Sequence, residues 1–253
     1  MDYNFYHHVA SDIGIDQKYL PTSTNTVQRN INHAITWTSQ NLMKLNAAKC
    51  HYMVFTRSAD FTTRLDIEGN TLEKAHVSKL LGVWISEDLS WTKNCQEICK
   101  KAYSRLSMIT KLKYVGVSTE DLLDIYILFI RSVTEYCAVV FHSSLTNEQS
   151  DKLEMIQKTC LKIILGESYV SYSAALEMCN LQTLYERREK RCLDFALKSI
   201  KHERSSRLFP LTRPKNYDIR ETEKFKVNFA RTSRYRESAI PYCQRKLNQY
   251  FRK

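Results

Sequence analysis

Punctuation is scarce in this chain: five glycines and four prolines stand among 253 residues. Glycine supplies positive-φ corners and proline supplies fixed turns, and an all-β sandwich needs one or the other at every short connection. Their shortage favours long helices with few corners. The hydrophobic share, 43%, is enough for one core with a smaller appendage, and charge and hydropathy lie in the globular range.

Periodicity divides the chain into a mixed first part and a helical remainder. Pro21 closes a strand-and-loop opening, and Thr22, Ser23, Thr24 and Asn25 offer N-caps to an amphipathic helix over about 24–44, with Val27, Ile31, Ala34, Ile35 and Leu42 on its apolar face. Cys50 to Phe55 reads as a short apolar strand. Arg64, Asp66 and Glu68 alternate with Leu65 and Ile67, which predicts a half-exposed strand turning at Gly69-Asn70. Leu80 to Ile85 reads as a buried strand with Gly82 inside it, where glycine marks a bulge or a close approach. These pieces predict a helix packed on a small antiparallel sheet.

After Trp91 the period becomes helical. Cys95, Ile98, Ala102, Leu106, Ile109 and Leu112 form one stripe, ended at Gly116. Ser118 caps a long apolar helix over about 119–141. Leu153, Ile156, Cys160 and Ile164 form a further stripe stopped at Gly166, a short helix follows around Ser173–Met178, and a strong one covers about 181–202. Pro210, Pro214 and Pro241 break up what remains. The predicted class is α+β: a small sheet with its helix, then a helical bundle.

Composition excludes several classes. Met1 to His8 has no apolar core of signal-peptide length, and the apolar stretch Leu122–Phe141 carries Asp124, Arg131 and Glu135, which argues against a membrane span. Cys95, Cys137, Cys160 and Cys192 fall on apolar helix faces, so the cysteines read as reduced, buried thiols without disulfide partners, and the protein as intracellular (nucleus or cytoplasm), not secreted. Cys95 and Cys99 lie one turn apart, but no second pair at zinc spacing accompanies them. There is no glycine-rich phosphate cradle and no nucleophile elbow. Asp121 and Asp124 share one helix and read as a capping turn.

The net charge of +11 is uneven. Residues 201–253 hold 15 Lys/Arg against 5 Asp/Glu, while the first 200 are nearly balanced. Phe209, Tyr217, Phe225, Phe229, Tyr235, Tyr242, Tyr250 and Phe251 are interleaved with those cations. Cations take phosphates and rings take bases, so nucleic acid is the natural partner; a solvated basic tail is the plain alternative.

Three ordered blocks carry a resemblance. Trp37, Asn41, Leu42, Leu45, Asn46, Lys49 and Met53-Val54-Phe55 form the first; Leu80-Leu81-Gly82-Val83-Trp84-Ile85 with Leu89-Ser90-Trp91 forms the second; Lys100 to Lys113 forms the third. In order and spacing they resemble the end of the palm, the primer-grip hairpin and the first thumb helix of reverse transcriptases of non-LTR (LINE-type) retrotransposons. Arg231 to Leu247 is similar to the C-terminal end of such polyproteins. The resemblance implies a palm remnant over 1–90, a helical thumb over 91–200 and a basic tail over 201–253.

It also implies roles. That family adds nucleotides with two Mg²⁺ ions held by aspartates on adjacent strands. Those motifs would lie upstream of the Trp37 block, with Asp2 as the remnant of one, so no cofactor site is intact and the chain is expected not to polymerise alone. Lys49 falls on a lysine that assists the departing pyrophosphate as a general acid; its plain reading is a surface lysine. Leu81, Gly82 and Val83 would be the primer grip, or else an ordinary buried hairpin. Lys100, Lys101, Arg105, Lys111 and Lys113 would contact phosphates of an RNA template, RNA–DNA hybrid or DNA duplex, or else form a solvated face. Trp37 and Trp91 read as core anchors. A nucleic-acid-binding module retained by a host genome is the other functional expectation.

Overall fold

The computed structural model describes residues 20–43, 45–55, 64–212 and 223–252, with backbone alone for 20–26. Two compact units divide the chain, Met1–Ser90 and Trp91–Lys253. In sequence order, small two-stranded sheets are followed by a large helical bundle, an α+β architecture.

In the first unit, α1 runs Leu20–Gln40. Val27, Ile31 and Ile35 recur every four residues and so share one face. They cover Leu65, Ile67 and Leu72, with Ala47, Cys50 and Tyr52 alongside. Gln28 adds a polar clamp: its Nε2 donates to the Asp66 carbonyl at 3.0 Å and its Oε1 accepts from the Asp66 N–H at 3.0 Å. The amide side chain thus serves the Asp66–Ile67 strand as a missing neighbouring strand would. Leu42 does not join the apolar face. It takes φ 55°, ends the helix in the left-handed region and is 98% exposed. Trp37 lies off the stripe by helical phase and is half exposed, so it is not a core anchor.

The strands are shorter than their periodicity suggests. β1 (His51–Tyr52) takes up two residues of the apolar run from Cys50 to Phe55, and pairs in parallel with β4 (Glu73–Lys74). β2 (Asp66–Ile67) and β3 (Asn70–Thr71) form an antiparallel hairpin, as do β5 (Val77–Leu80) and β6 (Val83–Ser86). The expected single antiparallel sheet is therefore three two-stranded pieces, one of them parallel. Leu65 and Ile67 face inward as the alternation predicts.

Both hairpins turn on a residue followed by glycine, with φ of 49° and 81° at Glu68-Gly69 and 47° and 89° at Leu81-Gly82. Two consecutive positive φ values match the right-handed strand twist, as in type I′ turns. The first turn therefore sits one residue earlier than Gly69-Asn70. Gly82 lies in a turn rather than inside a buried strand. Leu81 bears the αL cost with its side chain largely in water, so Leu81→Asn should stabilise the chain by about 0.5–1 kcal/mol. A urea midpoint that fails to rise would show that the turn is not so constrained.

The second unit is built on α2 (Thr92–Tyr114) packed against α4 (Asn147–Leu165). Cys95, Ala102, Leu106 and Ile109 meet Leu153, Ile156, Cys160 and Ile164 in one core, completed by Leu122, Tyr126, Ile130 and Phe141. The two predicted stripes are these faces. Trp91 packs against the same core, its ring 6.0 Å from that of Phe141.

Between these helices the expected continuous helix over 119–141 is interrupted. Ser118 caps α3 (Thr119–Ile125) through the Asp121 N–H, 3.1 Å. The helix then widens into a π-helix over Tyr126–Arg131 and returns to α form over Ser132–Glu135. It breaks at Cys137 with φ 52° and resumes over Ala138–Phe141. Cys137 thus occupies a reversal rather than an apolar helix face.

Both α4 and α6 (Leu184–Ser199) begin with capping boxes, Thr146 with Gln149 and Thr183 with Glu186. Between them lies the short α5 (Tyr172–Met178). The residues expected as a separate basic tail belong to this unit. α7 (Ala239–Phe251) docks on α6, burying Cys192, Ala196, Phe209, Phe225, Cys243 and Leu247 together. Asn248 clamps Phe225 from both sides, accepting from its N–H at 2.8 Å and donating to its carbonyl at 2.9 Å. Pro241 does not break the helix: it is the third residue of α7, where an N–H has no intrahelical acceptor. Two tail aromatics, Phe209 and Phe225, are thereby spent on the core, while Phe229 stays 84% exposed.

Candidate nucleic-acid interface

In the first unit, Lys49 ends a 3₁₀ turn, Ala47–Lys49, and its side chain is exposed at the junction between helix and strand. Leu81 and Gly82 form the exposed tip of the second hairpin, and Val83 is buried beneath it. Lys79 lies 5.8 Å from the centre of the Trp84 ring on the same hairpin. Asp2 lies outside the described residues. Among the described residues no group of three or more His, Cys, Asp or Glu side chains could hold a metal ion.

The five cations of α2 that the sequence singles out, in the second unit, divide by what they touch. Lys113 reaches the end of α4, where its Nζ donates to the carbonyls of Ile163 at 2.6 Å and Ile164 at 2.7 Å. That satisfies acceptors the helix end leaves open and sets a cation at its negative pole. Arg105 donates through Nη1 to the carbonyl of Phe129 in the π-helical segment. Both are engaged in holding the bundle. Lys100, Lys101 and Lys111 remain exposed. Eleven residues are close to three full turns, so Lys100 and Lys111 share a face about 16 Å apart along the axis.

Two charged sites escaped sequence reasoning. The first surrounds Glu135, whose side chain is 4% exposed and meets three arginines. Arg187 grips it in bidentate fashion, through Nε to Oε1 and through Nη2 to Oε2 at 3.2 Å. Arg191 adds Nε and Nη2 contacts at 3.0 and 2.6 Å, and Arg131 Nε stands 3.8 Å away. Burial alone would raise the Glu135 carboxyl pKa, but the hydrogen bonds from Arg187 and Arg191 outweigh it and hold it below the ordinary value. A signal for this site stood in the sequence: Arg131 and Glu135 are charges in an apolar stretch, and such charges are paired when they fold inside.

The second is a cleft of about 490 Å³ bordered by His142, Ser143, Ser150, Asp151, Tyr185 and Tyr242. Behind its wall lies Arg188, fully buried on α6, with Nη2 donating to Ser150 Oγ at 2.9 Å and Nε to His142 Nδ1 at 3.4 Å. Its Nη1 and the hydroxyl of Ser143 have no hydrogen-bond partner among the described residues. The His142 ring lies edge-on to those of Tyr185 and Tyr242, at 5.0 and 5.9 Å. Burial first, then the Arg188 charge, push its pKa down to about 4.

The chain matches no protein-family model, no curated protein and no solved structure. All eight cysteines are free thiols, and among the described residues no helix is long and apolar enough to cross a membrane.

Proposed function

We propose that the chain is the palm end and thumb of an RNA-directed DNA polymerase of the non-LTR retrotransposon kind, and that it holds a template–primer duplex by its phosphates. The observation that carries this reading is the α2 surface. Lys100, Lys101 and Lys111 stand exposed on a 23-residue helix that follows a tight hairpin tipped by Leu81-Gly82. The ordered sequence blocks and the net charge of +11 support the same reading. Such contacts position the duplex without reading its bases, so binding is sequence-tolerant and steeply salt-dependent. The role is intracellular, with nucleic acid as partner.

The test is a salt series of RNA–DNA hybrid binding for the whole chain and for Lys100→Gln/Lys101→Gln/Lys111→Gln. Each lost phosphate contact should reduce the slope of log affinity against log salt by roughly 0.9, and the triple variant should bind at least tenfold more weakly near 0.15 M salt. A variant with the wild-type slope would remove α2 from the interface. Template–primer extension with Mg²⁺ or Mn²⁺ completes the test: incorporation that survives further purification would overturn a purely binding role.

A further inference from the structure

The Glu135 site holds more positive charge than its fold requires. Three guanidiniums share one carboxylate, a surplus of two positive charges. Arg187 and Arg191 each commit Nε and Nη2 to Glu135, which fixes their planes and leaves the Nη1 groups off the carboxylate. Exposure grades outward across the cluster, from 14% for the Arg131 side chain to 25% for Arg187 and 51% for Arg191. The backbone contributes too. The π-helix ends at Arg131, and such widened turns re-aim side chains and recur at functional sites.

Exposed apolar residues flank Arg131 and Glu135 along the chain. Phe129, two residues before Arg131, and Tyr136, directly after Glu135, are each about half exposed, and Leu128 and Val140 are exposed with them. Arg105 brings a fourth guanidinium to this segment through the Phe129 carbonyl. Exposed rings on a segment that carries an orientated arginine suit either a nucleic-acid strand or a protein surface. The surplus charge decides between them: a partner here must be anionic along its length, and a phosphodiester strand is.

We propose that Arg131, Arg187 and Arg191, with Phe129 and Tyr136 of the segment that carries Arg131, form a binding site for a single nucleic-acid strand, guanidiniums on phosphates and rings on unstacked bases. Glu135 is the positioning residue that orders the guanidiniums before the strand arrives, which lowers the ordering cost of binding. The site uses none of the α2 lysines, so it can fail while the duplex reading stands, and the reverse.

The experiment is fluorescence anisotropy of a labelled single strand of about twenty nucleotides, long enough to cross the site, titrated with the whole chain across salt. Arg191→Gln should lower the single-strand salt slope by about 0.7, one phosphate contact. Tyr136→Ala, at an exposed position, should weaken binding about tenfold with the slope unchanged, because stacking is not ionic. Melting curves of both variants verify that the bundle remains folded. Single-strand affinity unchanged in both folded variants overturns the proposal, whatever the lysine variants do to hybrid binding. Heparin bound as tightly as the strand, with Tyr136→Ala making no difference, would show a bare polyanion patch and also overturn it. So would a concentration-dependent dimer that Tyr136→Ala dissociates, since the patch would then be a protein interface.

Discussion

Replacing Glu135 by leucine should destabilise the second unit by about 3 kcal/mol, the lower end of what removing one partner of a buried ion pair costs. The carboxylate is buried and organises Arg131, Arg187 and Arg191; without it, guanidiniums that are 14% and 25% exposed stay close together with no counter-charge. Arg191 is half exposed and can turn to water, which keeps the loss from being larger. Glutamine should do little better, because its NH₂ would face donors. Adding Arg131→Met and Arg187→Met to Glu135→Leu should recover most of the loss, since apolar residues of similar size replace a buried ion cluster at little cost. Urea unfolding followed by circular dichroism measures both. A single-variant loss under about 1 kcal/mol would mean that the cluster behaves as a screened surface pair.

Mild acid should weaken the same unit through His142. Its imidazole sits among Tyr185, Tyr242 and Arg188, with Glu189 and Lys246 near enough to act on its charge. Burial and the Arg188 cation push its pKa from 6.5 to about 4, with Glu189 opposing them and Lys246 adding to them. Arg188 Nε donates to His142 Nδ1, so a proton arriving there would set donor against donor. The folded state therefore refuses a proton that the unfolded chain accepts below about pH 6.5. Stability is full above that pH and falls as pH drops towards 4, by about 2 kcal/mol at pH 5 and roughly 3 kcal/mol in all. The lowered carboxylates of Glu135 and Glu189 titrate below their ordinary 4.5, so they add their loss at lower pH. His142→Gln should flatten the profile between pH 7.5 and 5. A wild-type profile already flat there would show that the ring is hydrated.

What was legible in the sequence was what periodicity and turn chemistry encode locally. The stripes on α2 and α4, the Ser118 cap and the stop at Gly166 depend on neighbours within a few residues, and the structure places them as the spacing implies. The alternation that buries Leu65 and Ile67 is equally local. The strands come out shorter than the pattern implies, because an apolar run such as Cys50 to Phe55 marks burial without stating how many residues find a pairing partner. The helix over 119–141 is broken for the opposite reason: its composition is helical throughout, and the π-turn and the Cys137 reversal answer to packing around Tyr126, Ile130 and Phe141.

The candidate site divides in the same way. Sequence marked five cations on α2 as one class, and only the fold separates Lys113 and Arg105, which satisfy backbone carbonyls 50 and 24 residues away, from Lys100, Lys101 and Lys111, which face water. It marked the aromatic residues after Lys201 as available, and the docking of α7 withdrew Phe209 and Phe225 into a core. Class, helix phase and the excess of cations were thus determined by the sequence alone, because each is a sum over near neighbours. Which charges are paired, which rings are buried, and the gathering of three arginines on Glu135, two of them from positions 52 and 56 residues away, were decided only by tertiary structure, because desolvation and ion pairing depend on distance in space rather than along the chain.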